Sequence, residues 1–317
     1  MRWIIKGIAF VLLIATTCTA LIFLLPGNQN SYFSALIDKH AILESTASPR
    51  VIVIGGSNIA FGLDSVLLTK RINKPVINLG LHAGLGLRFI LNDLIPFVRA
   101  GDIVVISSEY ENFYNNYLEG DNHTIASLLE VYPQASRSFE VPQYLRLTEI
   151  FTNNLRIKFL RFATSQINQS ARGESEPEKF QYSRDGFNQH GDVVSHLKMP
   201  PLPNINSNPY INENDTFNPT SITVINRFTK QAREKGAIVY FIFPATRHSN
   251  CIASLPYFND LDMLLREKID VPILSHPNES CFADELFFNT KYHLNAEGRQ
   301  LFTLFWASKL INQGIRD

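Results

Sequence analysis

The chain has 317 residues, 45% of them hydrophobic, enough for a substantial core and too many for global disorder. Its 29 Lys and Arg balance 29 Asp and Glu, so the formal net charge is zero. A nucleic-acid binder wants a basic surface, and no nucleic-acid partner is expected.

The first predicted element is hydrophobic. Arg2 and Lys6 precede an apolar run at 7–25, "GIAFVLLIATTCTALIFLL", which stops at Pro26. A helix needs roughly 20 such residues to cross a bilayer. The positive charge lies before the run, so the N-terminus stays in the cytoplasm and everything after Pro26 is exported. The expectation is a single-pass signal anchor, residues 1–26, in the cytoplasmic membrane, with the globular part on its outer side. A cleaved signal peptide is the alternative, with "ATTCTA" around Cys18 as a mediocre cleavage site.

Residues 27–49 read as a linker or approach segment with an amphipathic middle, "YFSALIDKHAIL". Next comes "VIVIGGSNIAFGLDS", where four β-branched residues, Val51 to Ile54, predict a central strand covered on both faces. A helix or broken helix follows, then a short strand in "KPVINLGL". The run "GLGLRFILNDLIPFVRAG" predicts a helix ending near Gly101, and "DIVVISSEY" a third buried strand. This alternation predicts a parallel sheet with helices on both faces.

Residues 111–217 break the rhythm. They begin with helical stretches, "HTIASLLEVY" and "LRIKFLRFATSQI", and continue as a polar, Asn/Pro-rich segment. So long a structureless loop is unusual in a compact domain. It reads as an insertion after the third strand, over the strands' carboxyl ends: a lid, a polymer-binding rim, or a surface loop. The αβ pattern resumes at Asn218-Pro219, a helix start, followed by a strand in "AIVYFIFPA" and a helix in "LPYFNDLDMLLREKI". A fifth short strand in "VPILSHP" and a last helix opening near Asn295 complete the 50–317 domain. Cys251 and Cys281 are an even pair in the exported part, either a disulfide or two free thiols.

Ser57 stands at the carboxyl end of the first strand, where open α/β sheets place ligands. It is either a nucleophile or the cap of the next helix. His293, late in the chain in "FFNTKYHLNAEG", falls between a sheet-edge segment and the final helix. An early serine and a late histidine can meet at one sheet edge and supply nucleophile and base. The other histidines (His40, His82, His123, His190, His196) have no compact metal-ligand spacing, and His248, at another strand's carboxyl end, is either a cleft-lining or a solvated loop residue. "HAGLGL" lacks the Lys-Ser/Thr of a phosphate loop.

"GGSN" after the first strand, "NLGLHAG" after the second and "YHLNAEG" before the last helix resemble the SGNH/GDSL hydrolase superfamily. The likeness is to its membrane-anchored extracytoplasmic branch, which acts on O-acyl groups of bacterial polysaccharides, and it covers roughly 50–110 and 218–313. The resemblance implies a three-layer α/β/α fold, a mostly parallel doubly wound sheet and an acyl-serine intermediate. Ser57 would be the nucleophile and His293 the base, with the Ser57 and Gly84 N–H groups in the oxyanion hole. Such a site needs neither metal nor cofactor. The partners implied are a polysaccharide or other O-acylated substrate and a membrane protein that donates acyl groups.

Two positions depart from the family pattern. Asn289 stands where an acid would orient His293, with Asp284 as an upstream acid candidate. "SSEYENFY" replaces the Gly-x-Asn-Asp block, leaving Asn58, Glu109 and Asn112 as candidates for oxyanion or substrate contacts. These departures keep a second expectation open, a catalytically idle member that binds polysaccharide or serves assembly. An unperturbed imidazole at His293 would make activity rise through roughly pH 6–7.

Overall fold

Four parallel strands form the centre of the chain: β1 (Val51–Gly55), β2 (Val76–Asn78), β3 (Ile103–Ser107) and β4 (Ile238–Phe241), in the order β2-β1-β3-β4. The computed structural model describes residues 2–24, 28–146, 148–150, 152–153, 155–156, 160, 182–202 and 205–316, apart from the side chains of 15 and 18–24. Val51 aligns with Val76 on one side and Ile103 on the other, and Ile103 aligns with Ile238. The chain leaves β1 toward β2 and then crosses back to β3. The order therefore reverses between β1 and β3, and the carboxyl ends at such a reversal are where open α/β sheets place their ligands.

Side-chain alternation divides the core. Ile52, Ile54, Val104, Ile106, Val239 and Phe241 point to one face. There they pack on helices α5 (Leu87–Leu94), α8 (Thr220–Glu234) and α9 (His248–Lys268). Val51, Val53, Ile103 and Val105 point to the other, against α4 (Ser65–Ile72) and α10 (Ala296–Ile311). These are the three layers. The first helical segment after β1 is broken into α3 (Ser57–Gly62) and α4, because Asp64 caps a new start by accepting from the Leu67 N–H at 3.0 Å.

Several elements differ from the sequence expectation. The fifth strand is reduced to a parallel bridge between Phe241 and Ile273, since Pro272 and Pro277 lack the N–H groups a longer ladder needs. A separate two-stranded ribbon, β5 (Thr246–Arg247) with β6 (Cys281–Phe282), lies beside it. Helix α9 begins at His248, before the expected start, and carries Pro256 inside it. Cys251 of α9 and Cys281 of β6 form a disulfide with Cα atoms 6.1 Å apart.

The segment read as a linker is part of the domain. Helix α2 (Ala35–Ser45) buries Leu36 and Leu43, and His40 meets Asp93 at 2.7 Å. The insertion is anchored too. Helix α6 (Asn122–Val131) closes a third apolar cluster with Tyr32, Leu36, Phe61 and Phe89. Buried Asp192 accepts from Ser65 Oγ (2.6 Å), Asn78 Nδ2 (2.9 Å) and Arg299 Nη2 (2.9 Å). Helix α7 (Val141–Leu145) follows; most of "LRIKFLRFATSQI" and all of 161–181 lie outside the described residues. Helix α1 (Arg2–Leu24) covers the N-terminal apolar run. Among the described residues no helix is long and apolar enough to cross a membrane.

Candidate active site

The abrupt Gly-Gly after β1 has a steric cause. A Cβ on Gly55 would strike the Ser107 carbonyl of β3. One on Gly56 would lie 2.6 Å from Glu109 Oε1 and 2.7 Å from the Ala83 nitrogen. The bare backbone thus lets two loops, one after β2 and one after β3, close on the start of α3. Ser57 is the first residue of that helix.

Ser57 Oγ donates to Glu109 Oε1 at 3.2 Å, and the Asn58 N–H donates to the same oxygen at 3.1 Å. Asn58 Nδ2 donates to the Ser107 carbonyl at 3.0 Å, which ties α3 to the end of β3. Glu109 is buried. Burial first, then the nearby Glu111 carboxylate, pushes its carboxyl up to about 7; the Asn58 and Ser57 donors and Lys291 oppose that rise. Asn112, the other candidate in this turn, accepts from the Leu87 N–H at 3.2 Å at the start of α5.

His293 is brought to the same helix by another route. Its ring stacks on Phe61, with centroids 4.0 Å apart and planes 3° from parallel. Phe61 lies four residues after Ser57 and so on the same side of α3. Asn289 Oδ1 lies 2.8 Å from His293 Nδ1, while Asn289 Nδ2 donates to the Tyr182 hydroxyl at 2.9 Å. The amide thereby presents its oxygen to the imidazole. Its Nδ1 carries the proton, assigned from this pairing, and Nε2 is left as an acceptor. Asn289 brings orientation without charge. Burial, with His196 and His82 adding to it, lowers the His293 pKa to about 3. The ring is neutral throughout the physiological range.

Ser57 and Glu109 are therefore in direct contact, whereas no hydrogen bond joins Ser57 to His293 among the described residues. Gly84 does not hold a free N–H. It donates to His82 Nδ1 at 3.0 Å, because the His82 ring caps the short turn Ala83–Leu85. The N–H groups of Ser57 and Ala83 find no acceptor among the described residues, and Gly56 lies between them. Asp284, the alternative acid, is occupied by Arg247 (2.9 Å) and the Ser249 N–H (2.9 Å). His248 is exposed at the start of α9.

A cavity of about 660 Å³ opens beside this constellation, lined in part by Asn30, Tyr32, Phe33, His82, His123 and Tyr182. That volume lies within the usual range for small-molecule sites. Tyr182 and His82 belong to both the cavity and the site, through Asn289 and Gly84. Sequence reasoning missed Phe61, Ala83 and Tyr182. Phe61 alone had a local signal, its spacing of four from Ser57; the other two depend on how distant loops dock. No family model, curated protein or solved structure matches the chain.

Proposed function

We propose that this chain is an extracytoplasmic, membrane-anchored enzyme of SGNH type that transfers or hydrolyses O-acyl groups of a polysaccharide through Ser57. The observation that carries the reading is the seating of Ser57 at the β1–β3 switch point, hydrogen-bonded to a buried carboxyl and sharing a helix face with the His293–Phe61 stack. In the first half-reaction Ser57 Oγ attacks the acyl carbonyl carbon and its proton passes to a neighbouring base. The carbonyl oxygen, gaining negative charge, is received by the Ser57 and Ala83 N–H groups. One such donor is worth roughly 10²–10³ in rate. The sugar oxygen leaves with the proton, and the acyl-serine passes its acyl group to water in an esterase or to a second hydroxyl in a transferase.

The cavity suits a polyhydroxylated ligand, with aromatic faces at Tyr32, Phe33 and Tyr182 and an amide at Asn30. The basic residues ahead of an apolar run support the anchor and the export of the domain. The Cys251–Cys281 disulfide suits an oxidising compartment. A membrane protein that brings acyl groups across is the partner this reading requires if the enzyme is a transferase.

A second reading, a binding or assembly protein with an idle site, is favoured by one observation, the uncharged Asn289 behind a weakly basic His293. The test is labelling of the full chain in detergent micelles with a serine-reactive fluorophosphonate, beside Ser57→Ala. Labelling lost in Ser57→Ala is expected. A folded wild-type chain that stays unlabelled while a known serine hydrolase labels would leave the binding role.

A further inference from the structure

We propose that Glu109, rather than His293, takes the hydroxyl proton of Ser57: its Oε1 is the acceptor that the Ser57 hydroxyl has, at 3.2 Å, and the Asn58 N–H fixes that oxygen at 3.1 Å. The inference rests on the acyl-transfer reading and names the base within it. Three features hold the pair. Glu109 follows β3 by two residues and Ser57 follows β1 by two, so the pairing of Gly55 with Ser107 sets both at one level. Gly56, having no side chain, lets the carboxyl reach the turn. Asn58 Nδ2 then binds the Ser107 carbonyl and locks α3 to the end of β3.

The step balances without another reactant. As the Ser57 Oγ–carbon bond forms, the Oγ–H proton moves to Glu109 Oε1, which becomes a neutral acid. When the ester C–O bond breaks, that acid returns the proton to the leaving oxygen and is a carboxylate again. In the second half, Glu109 takes the proton of the incoming hydroxyl or water and gives it back to Ser57. A base of this kind works best when it titrates near the working pH.

The groups facing Glu109 set its titration. Glu111 is the like charge that raises it and is itself paired with Lys291 at 2.8 Å, while Tyr32, Tyr210 and Tyr292 face it with hydroxyls that burial keeps protonated. The carboxyl titrates at about 7 and the imidazole at about 3. Glu109 as base therefore gives a rate that rises toward about pH 7 and then levels. His293 as base gives a flat profile across the same range.

The experiment is the rate of fluorophosphonate labelling of the full chain in micelles across that pH range, for wild type, Glu109→Gln, Glu109→Asp and His293→Gln. Near-ultraviolet circular dichroism confirms that each is folded. Glu109→Gln is expected to lose the pH-dependent limb and roughly 10²–10⁴ in rate, with Glu109→Asp restoring the limb. His293→Gln is expected to keep it. A limb that persists in Glu109→Gln, or is lost in His293→Gln while Glu109→Gln keeps it, overturns the assignment and leaves Ser57 chemistry standing. Should Glu109→Gln not fold, a limb absent from both wild type and Glu109→Asp overturns it. A folded wild type that never labels removes both readings together.

Discussion

At Ser57 the balance between stability and chemistry is carried by its carboxyl partner. Glu109 has an ordinary value of 4.5 and a folded value of about 7. Between those limits the folded state holds a proton that the unfolded chain has lost, so stability falls as pH rises through that window. Glu109→Gln, which removes the buried ionisation, should raise the melting temperature above about pH 7 and leave it nearly unchanged near pH 4; thermal scans at both pH values check this. His293 acts on the opposite side. Its folded value of about 3 lies below the ordinary 6.5, so the stability that neutral imidazole contributes is lost as pH falls from about 6.5 toward 3. His293→Gln should flatten part of that acid loss. His196, lowered by burial to about 4, keeps the rest. Both shifts are costs that a chain selected for stability alone would remove.

Among the elements, the site depends on how the insertion docks. Asp192 accepts from α4, from the end of β2 and from Arg299 of α10, and it is fully buried. Asp192→Ala would leave Arg299 without its closest acid partner and should cost about 3–5 kcal/mol in urea unfolding. Reducing the Cys251–Cys281 bridge, which spans 30 residues, should cost roughly 3–4 kcal/mol by loop entropy. The parallel strands were legible in sequence because runs such as Val51 to Ile54 and Ile103 to Ile106 are β-branched and buried on both faces. Ser57 could be placed at a strand end for the same reason. The Ser57–Glu109 contact was not legible, since 52 residues separate its members and only the β1–β3 register joins them. Nor was the docking of 28–49 and 182–202, since Leu36 and Leu43 meet their apolar partners, and Lys39 and Asp192 their polar ones, only through elements distant in sequence. Gly84 and Ala83 differ by one position, and the capping ring of His82 decides which N–H stays free.

For the molecule as a whole, the layers and the docked insertion make up the domain, and the apolar N-terminal run precedes it. The first described residue after that run, Asn28, lines the 660 Å³ cavity. The full chain should sediment with membranes and resist alkaline carbonate extraction, as a spanning anchor does. Release by carbonate would count against the anchor. The central claim is that Ser57 becomes acylated. Peptide mass spectrometry after brief exposure of the full chain to an activated acetyl ester and an acid quench tests it most directly. One acetyl group on the peptide containing Ser57, absent from Ser57→Ala, is the expected result. A folded chain with no adduct there, or with an equal adduct in Ser57→Ala, would contradict it.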